Sequence, residues 1–255
     1  MEVASETREA AIARLQPFAE RARGFSGWKF GVDARHLGPP LPWNYEDHIR
    51  GFARGVASVL DMGTGGGERL AESRDALPPS VVATEGWSVN APVAHERLAP
   101  LGVDVVYASE EVLPFTTNAF DLIINRHASI DPVEVDRVLR PGGAFVTQQV
   151  GRGNWGELAP HFPRMHDFGD ELGRYSQGFR DLGFNVTVHQ HFERVAVPSL
   201  GDFVYMLSVA NWTIPDFDVE RDIDALLALE RDCLSDEGFV VTEERYLLTA
   251  RKPAY

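Results

Sequence analysis

The run Val59-Leu60-Asp61-Met62-Gly63-Thr64-Gly65-Gly66-Gly67-Glu68 constrains this chain more than any other stretch. An apolar run, Val56 to Leu60, ends at an acid and enters a glycine loop, and Glu68 to Arg74 can start a helix. Strand, glycine loop and helix in that order open an α/β nucleotide-binding domain. Glycines are needed there because the chain turns sharply and a ligand must approach bare backbone.

The loop reads G-x-G-x-G. In the dinucleotide fingerprint a third glycine would fall at position 68, which is Glu68. A pyrophosphate at the helix N-terminus would meet that carboxylate, and Asp61 at the strand end adds a second negative charge. A cationic, phosphate-free ligand suits these acids better. S-adenosylmethionine, with its sulfonium and ammonium groups, is such a ligand.

Three later signals follow in order. Val81-Val82-Ala83-Thr84-Glu85 is a second short strand ending in an acid, 18 residues after Gly67. Leu113-Pro114-Phe115 precedes Ala119-Phe120-Asp121-Leu122-Ile123-Ile124, and Val138-Leu139-Arg140-Pro141-Gly142-Gly143-Ala144-Phe145-Val146 turns into another strand. With these four motifs, residues 55 to about 150 resemble a class I S-adenosylmethionine-dependent methyltransferase of the small-molecule, type 11 kind. The resemblance implies a Rossmann-like α/β fold. Its mostly parallel, seven-stranded sheet would carry helices on both faces, an antiparallel last strand and an inserted substrate lid.

The length of 255 residues and an apolar content of 44% suit one large globular domain, or one domain with a small cap. No run of 18 apolar residues is present, so no transmembrane helix is expected. The acidic N-terminus lacks an apolar signal core, and a single cysteine, Cys233, excludes an internal disulfide framework. A cytoplasmic protein is the expectation. The net charge of −14 disfavours nucleic acid and anionic membranes as partners. A small-molecule acceptor is expected instead; the oligomeric state is left open.

Hydrophobic spacing predicts an amphipathic helix over 6–22, a Gly/Pro/Trp-rich arm over 23–45 and a short helix over 46–54. A core follows with strands 56–61, 80–85, 103–107, 120–125 and 143–150, and helices 67–74, 88–99 and 131–139. Residues 151–170 read as a lid. They are followed by a helix over 171–182, a strand over 184–196, helices over 199–212 and 218–234, and a last strand over 239–251. This gives an N-terminal helix and arm, 1–54, covering the cofactor site. The methyltransferase domain spans 55–255 with lid inserts at about 151–170 and 198–235.

The resemblance assigns Asp61, Gly63 and Gly65 to the methionyl part of S-adenosylmethionine and Glu85 to its ribose, with Thr64 and Gly86 as further cofactor-binding residues. Ser109 stands where the family often has an aspartate for the adenine amino group, and the backbone of the following Glu110 can donate to the ring. Asn125 ends the fourth core strand at the cofactor. Tyr45 lies in the segment that closes over the cofactor in related enzymes. His127, on the rim where methyl and acceptor would meet, is the candidate general base or acceptor-orienting group. The alternative for this residue is a histidine satisfied by backbone at a strand end. The segment Asn125-Arg126-His127-Ala128 lacks the N/D-P-P-Y/F tetrapeptide of methyltransferases acting on nucleobase or glutamine amino groups.

Alternation requires one of Gln148 and Gln149 to face the pocket. Gln148, Trp155, His161 and Trp212, with His127, are the substrate-pocket candidates, and His166 is a further one. His189 and His191 share a strand face, but no ligand-spaced Cys or carboxylate cluster accompanies them, so no metal is expected. The activity expected is methyl transfer to a small, hydrophobic or aromatic metabolite, with S-adenosylhomocysteine as coproduct. The alternatives are an RNA or tRNA methyltransferase, or a homologue that binds the cofactor without transferring a methyl. A nicotinamide oxidoreductase is disfavoured by Glu68.

Overall fold

A computed structural model describes residues 6–27, 30–109 and 111–255. The α-helices are α1 (Arg8–Arg21), α2 (Tyr45–Ala53), α3 (Glu68–Ser73), α4 (Asn90–Leu98), α5 (Pro132–Val138), α6 (Glu171–Asp181), α7 (Leu200–Val209) and α8 (Val219–Cys233). The strands are β1 (Arg35–His36), β2 (Ser58–Met62), β3 (Ser80–Glu85), β4 (Asp104–Tyr107), β5 (Phe120–Arg126), β6 (Leu139–Val150), β7 (Asn185–Val197), β8 (Leu234–Ser235) and β9 (Gly238–Arg251). Side-chain caps set several helix starts. Thr7, Asn44, Asp131, Asp170, Ser199 and Asp218 each accept a hydrogen bond from a first-turn amide.

The strands form one sheet in the order β1-β7-β9-β6-β5-β2-β3-β4, with β8 pairing on β9. β4, β3, β2, β5 and β6 run parallel, and β9 is antiparallel to both β6 and β7. The order reverses at β2, between β3 and β5. At such a switch point the strand ends open a crevice.

The seven expected strands are present, and two more appear. β1 pairs with β7 through Arg35 opposite Ala196 and His36 opposite Val195, and β8 forms a two-residue pairing with the start of β9. Two residues carry no periodic signal, so these pairings are invisible in the sequence. β6 begins at Leu139, earlier than the expected 143, because it pairs across a register shift between Phe120 and Leu122. Gly143 sits where a Cβ would lie 2.8 Å from the Asp121 carbonyl oxygen. A larger residue would force the bulge open.

Three apolar clusters divide the interior. One packs α2, α3 and α4 on the sheet face carrying Val59, Ile124, Val146 and Leu247. The opposite face, with Leu60, Ile123, Phe145 and Leu248, packs on α5 and α6. The third lies beyond the sheet centre. It joins Leu15 of α1, Phe203 of α7 and Ile223 of α8 to Trp155, Leu158 and Phe162 of the 151–170 segment and to the outer ends of β7 and β9. The N-terminal helix therefore belongs to the same cap as the two inserts. Its partners are α7 and α8.

Candidate active site

β2 and β5 deliver their C-terminal ends to one cleft of about 1230 Å³, roofed by the arm at Phe30–Val32 and the cap. Asp61, Gly63, Thr64 and Glu85 line one side; Arg126, His127 and Gln149 line the centre; Trp155 and Trp212 stand on the cap side, and Tyr175 of α6 also lines the cleft.

Asp61 is buried and accepts a hydrogen bond from Thr64 Oγ1 at 2.6 Å. Burial drives its pKa up to about 6, against the pull of that hydrogen bond, and the neighbouring Glu85 adds to the rise. A desolvated carboxylate under a glycine loop favours a cationic ligand. Glu85 accepts from the Gly65 amide at 2.6 Å and from the Trp87 amide at 2.7 Å. These two bonds orient the carboxylate.

The other glycines and Glu68 have structural tasks as well. Gly67 has φ +79°, and a Cβ there would lie 2.9 Å from Leu98 of α4. Glu68 pairs with Arg97 at 3.1 Å, and Arg97 also donates to the Gly66 carbonyl. Asp121 of the F-D motif lies away from the cleft. It binds the Ala57 and Ser58 amides and Arg140, pinning β2 to β5.

Asn125 is fully buried at the switch point. Its side chain donates to the Met62 carbonyl at 3.0 Å and accepts from Thr147 and Gln149, both at 2.7 Å. Its carbonyl accepts from Tyr45 Oη at 2.9 Å. Asn125 thus clamps β2, β5 and β6 together, and its side chain does not reach the cleft. Tyr45 does line the cleft; burial holds its phenol well above the ordinary tyrosine pKa, so it stays a neutral donor.

His127 has φ +59° and donates its amide to the Gln148 carbonyl at 3.0 Å. Its ring opens to the cleft. Desolvation, then Arg126, Arg245 and Arg69, hold its pKa well below 6.5. The imidazole is therefore neutral at pH 7.

Two expected pocket residues turn elsewhere. Gln148 accepts from Trp43 Nε1 at 2.9 Å on the α2 side, so its neighbour Gln149 is the glutamine that meets the cleft. His161 pairs with Asp232 of α8 at 2.9 Å and joins two parts of the cap. Gly65, Gly86 and Ser109 also stand outside the cleft lining: Gly65 is held under Glu85, while a Cβ on Gly86 would lie 3.2 Å from the Ala108 carbonyl. Glu110 lies outside the described residues. Among the described residues no group of three His, Cys, Asp or Glu is placed to hold a metal, and no helix is long and apolar enough to cross a membrane.

Several cleft residues escaped the sequence reading: Arg126, Arg245, Glu244, Gln190 and Tyr246. Arg126 carried a signal. It follows Leu122 and Ile124 at alternate positions on one strand face, where a terminal arginine breaks an apolar run. The residues from β7 and β9 had none, because only the antiparallel pairing brings them beside β6.

The sheet order, the switch-point cleft and the acid-ended strands define a class I methyltransferase fold. Residues 60–147 match the family model described as a methyltransferase domain. Among solved structures, a protein of unknown function from Deinococcus radiodurans R1 is similar at 15% identity and a TM-score of 0.64, covering 93% of this chain and 99% of that one. The YcgJ protein from Bacillus subtilis is similar at 18% identity and a TM-score of 0.59, over 82% and 98%. A geranyl diphosphate methyltransferase, solved with that substrate and sinefungin, is similar at 17% identity and a TM-score of 0.50, over 81% and 77%. Among curated protein sequences none matches. Residues 60–147 are thus a methyltransferase domain within a class I methyltransferase fold, which supports an S-adenosylmethionine-dependent enzyme.

Proposed function

We propose that the enzyme methylates a small metabolite with an aromatic or apolar body. When bound, S-adenosylmethionine supplies an electrophilic methyl on its sulfonium. Asp61 and Thr64 hold the methionyl end and Glu85 accepts from the ribose hydroxyls, while the Tyr45 ring covers them. The observation that carries this reading is the meeting, in one cleft, of the Asp61–Glu85 side with His127 and an aromatic cap wall of Trp155, Phe168 and Trp212. Helix α1, the arm and the inserts at 151–170 and 198–235 would then shape the acceptor side.

Methyl transfer is an in-line displacement, and orienting the two reactants can supply about 7–11 kcal/mol of its barrier. His127, neutral and flanked by arginines, suits hydrogen bonding to the acceptor better than carrying a proton away. Calorimetric titration with S-adenosylmethionine and, separately, NAD tests the cofactor assignment. Micromolar binding of the first and none of the second is expected; the reverse would overturn it.

A further inference from the structure

Four arginines line the cleft. Arg69 pairs with Glu46 at 3.4 Å and Glu72 at 3.1 Å, Arg152 with Asp167 at 2.7 Å, and Arg245 with Glu243 at 2.7 Å. The Arg126 side chain forms no ion pair and no hydrogen bond among the described residues; its Cζ lies over the Tyr45 ring, 6.0 Å from the centroid. Its Nε is buried without an acceptor. The acid whose field it feels, Glu46, is already committed to Arg69. Two other cleft residues, Trp155 and Tyr246, also carry buried polar atoms without a partner: the indole Nε1 and the phenol oxygen. Three buried donor groups of cleft residues thus stand without an acceptor. A partly buried guanidinium without an anion is costly, and its planar fork matches a carboxylate in two parallel hydrogen bonds.

We infer that the methyl acceptor carries a carboxylate and that Arg126 holds it, with the apolar body of the acceptor against the cap. This rests on the methyltransferase reading above and names its substrate class. The titration below separates the acceptor from the cofactor's own carboxylate as the anion that Arg126 holds. Arg126 directly precedes His127 at the C-terminal end of β5, and both line the cleft. After desolvation, Arg126 is the main cause of the depressed His127 pKa. A carboxylate bound to it would cancel that field and make the imidazole a better proton acceptor only with the acceptor in place.

The test uses the full-length enzyme and its Arg126→Gln and Arg126→Lys variants. S-adenosylhomocysteine is titrated first. Then benzoate, phenylacetate and 3-phenylpropionate, each beside its uncharged amide, are titrated into the S-adenosylhomocysteine complex. The expected result is that at least one carboxylate binds the wild type tenfold or more tightly than its amide. Arg126→Gln should remove that preference, Arg126→Lys should restore part of it, and S-adenosylhomocysteine affinity should change less than threefold. A tenfold loss of S-adenosylhomocysteine affinity in a folded Arg126→Gln protein would give the guanidinium to the cofactor and overturn the inference. Equal binding of acids and amides by the wild type would also overturn it, without needing any variant to fold. Failure of the wild type to bind S-adenosylhomocysteine would instead strike the methyltransferase reading itself.

Discussion

The Gly65 amide donates to Glu85 Oε2 at 2.6 Å, tying the glycine loop after β2 to the acid that ends β3. Two sequence motifs twenty residues apart are thus one structural unit. The loop fixes where the carboxylate points, and the carboxylate fixes the loop.

Glu85→Ala should weaken S-adenosylmethionine binding by about 1.5–3 kcal/mol, the scale of charged hydrogen bonds lost to a ligand. Glu85→Gln should lose less, because the amide oxygen can still accept from Gly65. Titration calorimetry checks both, and an unaltered dissociation constant in the alanine variant would sink the ribose assignment.

Asp61 couples stability to pH. Its pKa is raised from 3.8 unfolded to about 6 folded, so the native state binds the proton more tightly. The stabilisation this gives is full below about pH 4 and is lost as pH rises through 6, about 3 kcal/mol in all. Asp61→Asn should therefore unfold at higher denaturant than wild type at pH 8 and at nearly equal denaturant at pH 4, while binding cofactor more weakly. Equal midpoints at pH 8 would contradict the argument.

For His127, the expected signature is kinetic. His127→Ala should lower turnover more than cofactor affinity if the proposed acceptor lies against the ring, which lines the cleft. With its pKa well below 6.5, the wild-type histidine contributes no inflection to turnover between pH 7 and 8. Equal losses in turnover and cofactor affinity would mean that the residue serves only to hold the β5 end.

Gly67→Ala combines a left-handed backbone position with a Cβ 2.9 Å from Leu98. A destabilisation of about 2–3 kcal/mol should follow from strain and overpacking. Chemical denaturation would show it, and pairing the change with Leu98→Ala should recover the packing part only.

Much of the fold was legible in the chain because its signals are local. The parallel strands are continuous apolar runs, α6 ends at Gly183 with φ +83°, and the two core acids close their strands. The cofactor side of the cleft follows from these, since loop and strand ends lie within one continuous stretch. The acceptor side does not. Arg245, Glu244, Gln190 and Tyr246 enter from β7 and β9, more than a hundred and twenty residues beyond the glycine loop. The choice between Gln148 and Gln149 depended on where Trp43 of the arm docked. Asn125 reads as a site residue, yet tertiary contacts spend its side chain on holding strands together, as they do Asp121. Sequence periodicity fixes which face of an element is apolar. Which polar groups then find partners, and which, like Arg126, are left without one, is decided only when distant segments pack.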